Sequence, residues 1–84
     1  MSDLKQIRKR LCYTPLVYQR FNQKMKTDYA QDEIESFINQ VIDTCASEQI
    51  RRIGKNYYLI NHSFNIRLTI NANTFRLITI NKLI

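Results

Sequence analysis

Four side chains in the last third of the chain suit metal-free chemistry on a phosphodiester: Arg67, Arg76, Tyr58 and His62. Metal-free RNA cleavage needs a base for the 2′-hydroxyl, a cation for the phosphorane and an acid for the leaving oxygen. RNA fits such a site because it carries its own nucleophile. Two guanidiniums can clamp a phosphate through paired hydrogen bonds. A tyrosine can stack on a base or donate a proton, and His62 is the side chain whose ordinary pKa lies near neutrality. A wider set suits nucleic-acid binding: Lys55, Arg51, Arg52, Thr69, Asn71 and Thr74, with Arg8, Lys9 and Arg10 towards the N-terminus. The plainer readings are a solvated strand face for the arginines and a polar loop for the histidine.

Other chemistries are excluded. A single glycine leaves no glycine-rich phosphate loop. Cys12 and Cys45 form no Cys-x-x-Cys pair and there is one histidine, so neither a zinc site nor a disulfide framework is expected. Both cysteines read as buried thiols. No metal or cofactor is expected, and the four side chains would act alone.

The net charge of +6 conceals a pattern. Residues 1–26 hold seven cations against Asp3 alone, residues 27–48 hold six acids and no cation, and residues 49–84 hold six cations and no acid. Such segregation favours a basic surface that attracts phosphate and an acidic face elsewhere. The plainer alternative is that the acidic segment neutralises its basic neighbours within the fold.

With 84 residues the chain suits one domain, and 44% hydrophobic content is too rich for disorder. The first residues hold no apolar run of the signal-peptide kind. No stretch approaches the ~20 apolar residues of a membrane span. A cytoplasmic protein without membrane contact is expected.

The elements that must position these residues are three helices followed by strands. Asp3 caps a first helix to Leu11, with Leu4, Ile7 and Leu11 at helical spacing. Thr14-Pro15 reads as N-cap and first residue of a second helix running to about Lys24. Ile34, Phe37, Ile38, Val41, Ile42 and Cys45 form the stripe of a core-facing third helix, which fades between Ala46 and Gln49. Arg51-Arg52 and Gly54 mark a junction, after which the pattern alternates.

The expected fold is α+β: three N-terminal helices packed on one face of a three-stranded antiparallel meander, with strands near 56–60, 65–71 and 74–81. A two-residue turn at Ala72-Asn73 pairs Ile70 with Phe75, Thr69 with Arg76, Leu68 with Leu77 and Arg67 with Ile78. A four-residue loop at 61–64 pairs Leu59 with Ile66 and Tyr57 with Leu68. The face away from the helices then carries Tyr58, Arg67, Asn56, Thr69 and Arg76. Ile78 and Ile80 fall on that face too and, with Leu83 and Ile84, predict a protein interface along the C-terminal edge.

Two resemblances follow. Cys12-Tyr13-Thr14-Pro15-Leu16-Val17-Tyr18-Gln19-Arg20 resembles the start of a small bacterial family catalogued as domain of unknown function 3781. So do Gly54-Lys55-Asn56-Tyr57-Tyr58 and the runs Asn65–Asn71 and Thr74–Thr79. Together they cover most of residues 12–80 and imply a short bacterial or phage-borne protein. More loosely, helices followed by a meander with arginines on its open face resemble ribonuclease toxins of the RelE, barnase and colicin type. RelE-type toxins, however, open with a strand, and a strong Lys/Arg catalytic cluster is absent here.

The resulting expectation is a small basic protein directed at RNA or DNA, whether as a toxin-like ribonuclease or as a binder. The alternative is a protein-interaction module (an antitoxin, a phage inhibitor or an accessory subunit) acting through the C-terminal strand and the acidic third helix. A homodimer through that strand is a third possibility.

Overall fold

The computed structural model describes residues 3–45 and 49–83. The Asp3 side chain, residues 46–48 and Ile84 lie outside that description, so the Asp3 cap and the Ile84 interface are not placed. Three helices precede four strands: α1 (Asp3–Arg10), α2 (Pro15–Met25), α3 (Gln31–Asp43), β1 (Ile50–Ile53), β2 (Asn56–Asn61), β3 (Ile66–Asn71) and β4 (Leu77–Lys82). The strands form one antiparallel sheet in the order β1-β2-β3-β4. Among the described residues, no helix is long and apolar enough to cross a membrane.

The helices begin where the sequence directs them. Thr14 Oγ1 accepts from Val17 N at 3.3 Å, and Pro15 opens α2, so an orphan donor is satisfied where proline forfeits nothing. At α3, Glu33 Oε1 accepts from Ala30 N at 2.8 Å. Between them, Asn22 acts as a clasp. Its Oδ1 accepts from Thr27 Oγ1 and Tyr29 N, and its Nδ2 donates to the Tyr29 carbonyl.

Ile7, Val17, Phe21, Ile34, Ile38, Val41 and Ile42 are buried against one side of the sheet. They meet the rows Ile50–Leu59–Leu68–Ile80 and Tyr57–Ile70–Leu77. Arg8 Nε donates to Asp43 Oδ1 at 2.9 Å, tying the basic end of α1 to the acidic α3. To that extent the acidic segment does neutralise its neighbour. In the helical layer, Tyr13 and Tyr18 stack at 5.6 Å, and Tyr18 donates to Glu35. Burial, and then this bond to Glu35, pushes the Tyr18 phenol up to about 12. Burial raises Tyr13 further, and its hydroxyl has no hydrogen-bond partner among the described residues.

Three expectations need correction. First, the sheet has four strands, because Ile50-Arg51-Arg52-Ile53 is a strand rather than a junction. Gly54, at φ 61°, supplies the left-handed turn that returns it onto β2.

Second, α3 stops at Asp43, earlier than the apolar stripe implies. The Thr44 hydroxyl bonds back to the Gln40 carbonyl at 2.8 Å. Asn61, expected in a loop, is instead the buried last residue of β2. Its Nδ2 donates to the Val41 carbonyl and to Thr44 Oγ1, both at 2.8 Å. The helix's terminal carbonyls thus find partners in side chains, which takes the place of further turns.

Third, both registers differ. Leu59 pairs with Leu68 and Tyr57 with Ile70, two residues from expectation, so every side chain keeps its face. The β3–β4 register moves by three, with Thr69 opposite Thr79 and Leu68 opposite Ile80. The cause is Asn71, whose Oδ1 accepts from Asn73 N at 2.8 Å and Thr74 N at 2.9 Å. This Asx turn draws Thr74 and Phe75 out of the strand. Next to this turn Ile70 pairs with Leu77, two residues from expectation, and a bulge beside Thr69/Ile70 adds the third. Ile80 therefore lies in the core with no exposed surface, and its expected role at an interface is overturned.

Candidate nucleic-acid interface

Directly paired strand residues share a face. On the side away from the core the rows are Arg51–Tyr58–Thr69–Thr79, Ile60–Arg67–Asn81 and Ile53–Asn56–Asn71. Arg51 and Arg67 are exposed, and Tyr58, Asn56, Asn71, Thr79 and Asn81 are half-buried. Thr69 was expected at the surface but is buried between its row neighbours Tyr58 and Thr79. It forms part of the floor of this face. Asn56 Nδ2 reaches the Tyr58 hydroxyl at 3.5 Å. No acidic residue occurs anywhere in residues 49–84.

One cation of this face escaped the sequence reading. Lys24, near the end of α2, donates to Thr79 Oγ1 at 3.2 Å and to Asn81 Oδ1. In sequence it is one lysine on an exposed helix side. Only the packing of α2 along β4 carries it to the sheet. Its spacing from Leu16 and Arg20, four residues apart each time, places all three on one side of α2.

The proposed quartet does not converge. Arg67 pairs with Asn81, whereas Arg76 bonds through its carbonyl to Asn71 N, four residues along β3. At about 3.3 Å per residue this is roughly 13 Å between backbones. His62 follows the far end of β2, six residues from Asn56, which pairs with Asn71. His62 and Arg76 thus stand roughly 20 Å apart by the same rise. Tyr58 sits between them. Arg67 and Arg76 cannot be the adjacent pair expected from Thr69–Arg76 and Arg67–Ile78 pairing.

Other expected residues do gather, at the end of the sheet that carries the β1–β2 and β3–β4 turns. Lys55 lies in the first turn, and its carbonyl accepts from Ala72 N in the second at 2.8 Å. Thr74 is exposed in the second turn, where its Oγ1 accepts from Arg76 N. Arg52 pairs with Tyr57 on the helix side, its guanidinium 6.0 Å from that ring. Arg10 reaches the same end from α1, 5.2 Å from the Phe75 ring. Arg76 is held there by an isolated bridge, in which Cys12 N donates to the Phe75 carbonyl and Leu77 N to the Cys12 carbonyl. Lys9 is exposed on α1, while Arg8 is engaged with Asp43.

The expected C-terminal interface is reduced. Ile78 is 37% exposed at the bulge, Ile80 is buried, and Leu83 is half-buried with its amide bonded to the Asn65 carbonyl. The start of the β4 edge is occupied by Cys12, and α2 packs alongside. The open edge is β1, whose Ile53 is 62% exposed. Cys12, expected to be buried, is exposed, whereas Cys45 is buried and its thiol pKa raised by that burial. Among the described residues, no three His, Cys, Asp or Glu side chains cluster closely enough to hold a metal ion.

Comparison with curated proteins gives no match. Comparison with solved structures gives none either, so the likeness to ribonuclease toxins has no structural neighbour behind it. A family model does match, over residues 5–81, and it spans most of α1, all of α2 and α3, and nearly all of the sheet. The chain belongs to the family described as protein of unknown function DUF3781.

Proposed function

We propose that this protein binds nucleic acid, RNA foremost, on the sheet face turned away from the helices. One observation carries the reading: that face presents Arg51, Arg67 and Lys24 among Asn, Thr and Tyr side chains, in a segment without a single acid. Phosphates meet cations there without carboxylate repulsion, and polar side chains stand ready for sugar and base edges. Tyr58 provides a ring for stacking at the centre of the face. The acids sit chiefly on α3, behind the sheet, so the molecule is polarised and its field orients an approaching polyanion.

The reading is of a binder rather than a nuclease. Arg67, Arg76, Tyr58 and His62 are strung along the sheet and do not surround one phosphate, so the candidate base, acid and cations have no common reacting atom.

A fluorescent single-stranded RNA tests the proposal by anisotropy. Binding is expected at about 50 mM salt and is expected to weaken by one to three orders of magnitude by about 200 mM, because each neutralised phosphate releases counterions. Absence of binding at the lower salt contradicts it. Shortening of the RNA during the measurement, lost on Arg67→Ala, would restore the ribonuclease reading.

A further inference from the structure

β1 is the open edge of the sheet, and its two arginines point to opposite sides. Arg51 pairs with Tyr58 on the outer face, and Arg52 pairs with Tyr57 on the helix side. The helix side at this end is closed by rings rather than by a helix. Arg52 lies 6.0 Å from the Tyr57 ring, Tyr57 is 6.2 Å from Phe75, and Arg10 lies 5.2 Å from Phe75. Two guanidiniums therefore rest on a continuous pair of aromatic rings. Stacking on a ring holds a guanidinium flat and leaves its N–H edge free to meet an oxyanion. Less side-chain freedom is then lost when the oxyanion arrives.

Phe75 occupies this place at a conformational cost. Its φ is 58°, a left-handed value uncommon for a bulky residue. Its carbonyl accepts from Cys12 N at 2.8 Å, and its amide donates to the Asn71 carbonyl at 2.8 Å. Strained backbone fixed by its surroundings is a feature of binding sites. Here the strain sets the ring beneath Arg10. Lys55 stands in the adjacent turn and Arg76 on the other side of the same end.

We infer that a single strand of nucleic acid runs from the open face over the β1 edge onto this rim, where Arg52 and Arg10 hold its phosphates. The inference rests on the open-face reading and deepens it by naming the substrate class. The path turns around the edge of one strand, in a sheet whose strands are ~4.8 Å apart. Duplex DNA, with a persistence length of about 150 base pairs, cannot follow such a turn, but a flexible single strand can. Consecutive phosphates would pass Arg67, Arg51, Arg52 and Arg10 in that order.

The test is a length series of single-stranded RNA of about 4, 8 and 12 nucleotides, the span typical of small single-strand sites. A matching DNA strand and an RNA duplex complete the set. Affinity is expected to rise with length in the parent protein. Arg10→Ala with Arg52→Ala is expected to lower affinity for the longest strand about tenfold or more and to reduce its salt slope by roughly 1.4, twice the single-strand value per phosphate. Affinity for the shortest strand stays unchanged, and the duplex binds more weakly than the single strand. The DNA strand binding alongside RNA supports the rim, since its contacts are to phosphate.

Parent-like affinity and slope for the longest strand in the double variant, with binding lost on Arg67→Ala, overturns the rim alone. Duplex binding equal to single-strand binding also overturns it. Absence of binding by every protein to every strand overturns both readings. Both arginines are exposed, and a parent-like circular dichroism spectrum of the double variant confirms that any loss is one of binding.

Discussion

Ile80→Lys is expected to unfold the protein, whereas Ile78→Lys leaves it folded. The two residues are two apart on one strand, and simple alternation would treat them alike. The bulge separates them: Ile80 has no exposed surface and faces Leu68, while Ile78 is 37% exposed. Removing a buried isoleucine costs about 2–5 kcal/mol. Leaving an ammonium unpaired in its place costs several more. An 84-residue domain has a total stability of roughly 4–13 kcal/mol at ~0.05–0.15 kcal/mol per residue. The substitution therefore removes most or all of it. Ile78→Lys keeps its charge at the surface and should cost about 1 kcal/mol or less. Far-ultraviolet circular dichroism with thermal melting separates the outcomes. A folded protein in both variants would mean that the simpler hairpin register, with Ile78 opposite Arg67 and both isoleucines on the open face, is the true one.

The second large effect concerns binding. Arg51→Glu combined with Arg67→Glu is expected to abolish RNA binding at about 100 mM salt while leaving the fold intact. Each charge-assisted hydrogen bond to phosphate contributes about 1.5–3 kcal/mol, so losing two lowers affinity by two to four orders of magnitude. Reversal adds repulsion to the loss. Both side chains are exposed strand residues that form no salt bridge among the described residues, and like substitutions on exposed strand positions are usually mild. A binding curve like the parent's would mean that the open face is not where RNA docks. Reversal of the exposed Asp28 and Asp32, before and at the start of α3, to lysine serves as the matched control and should strengthen binding slightly through the overall field.

Much of this arrangement was legible in the residues. The α3 stripe, the Thr14-Pro15 start and the acid-free C-terminal segment follow from periodicity, capping chemistry and charge. The outer face was assigned correctly for β2 and β3 because their register moved by two residues, an even step that preserves sides. β1 escaped notice because Ile50-Arg51-Arg52-Ile53 is too short and too charged to show alternation, as befits an open edge. The β3–β4 register escaped because one side chain, Asn71, decided the length of the turn. The turn itself moves the register by two residues, an even step that leaves Leu77 on its face, and the bulge then adds a third, which turns Ile80 to the core.

The site divides in the same way. Arg51, Arg52, Arg67 and Tyr58 could be nominated from residue type and alternation. Lys24 and the Arg10–Phe75–Tyr57–Arg52 chain could not, since each joins residues distant in sequence through packing. The distance between Arg67 and Arg76 was likewise set by the turn. That turn converts an expected phosphate clamp into two separate cations, which is the ground for proposing binding over cleavage.

The most direct measurement is a titration of the isotope-labelled protein with single-stranded RNA at low salt, followed through backbone amide resonances. The open-face reading predicts progressive shifts at Arg51, Tyr58, Arg67 and Thr69, with α3 residues 32–43 unmoved. Unchanged spectra, or shifts confined to α3, would contradict it.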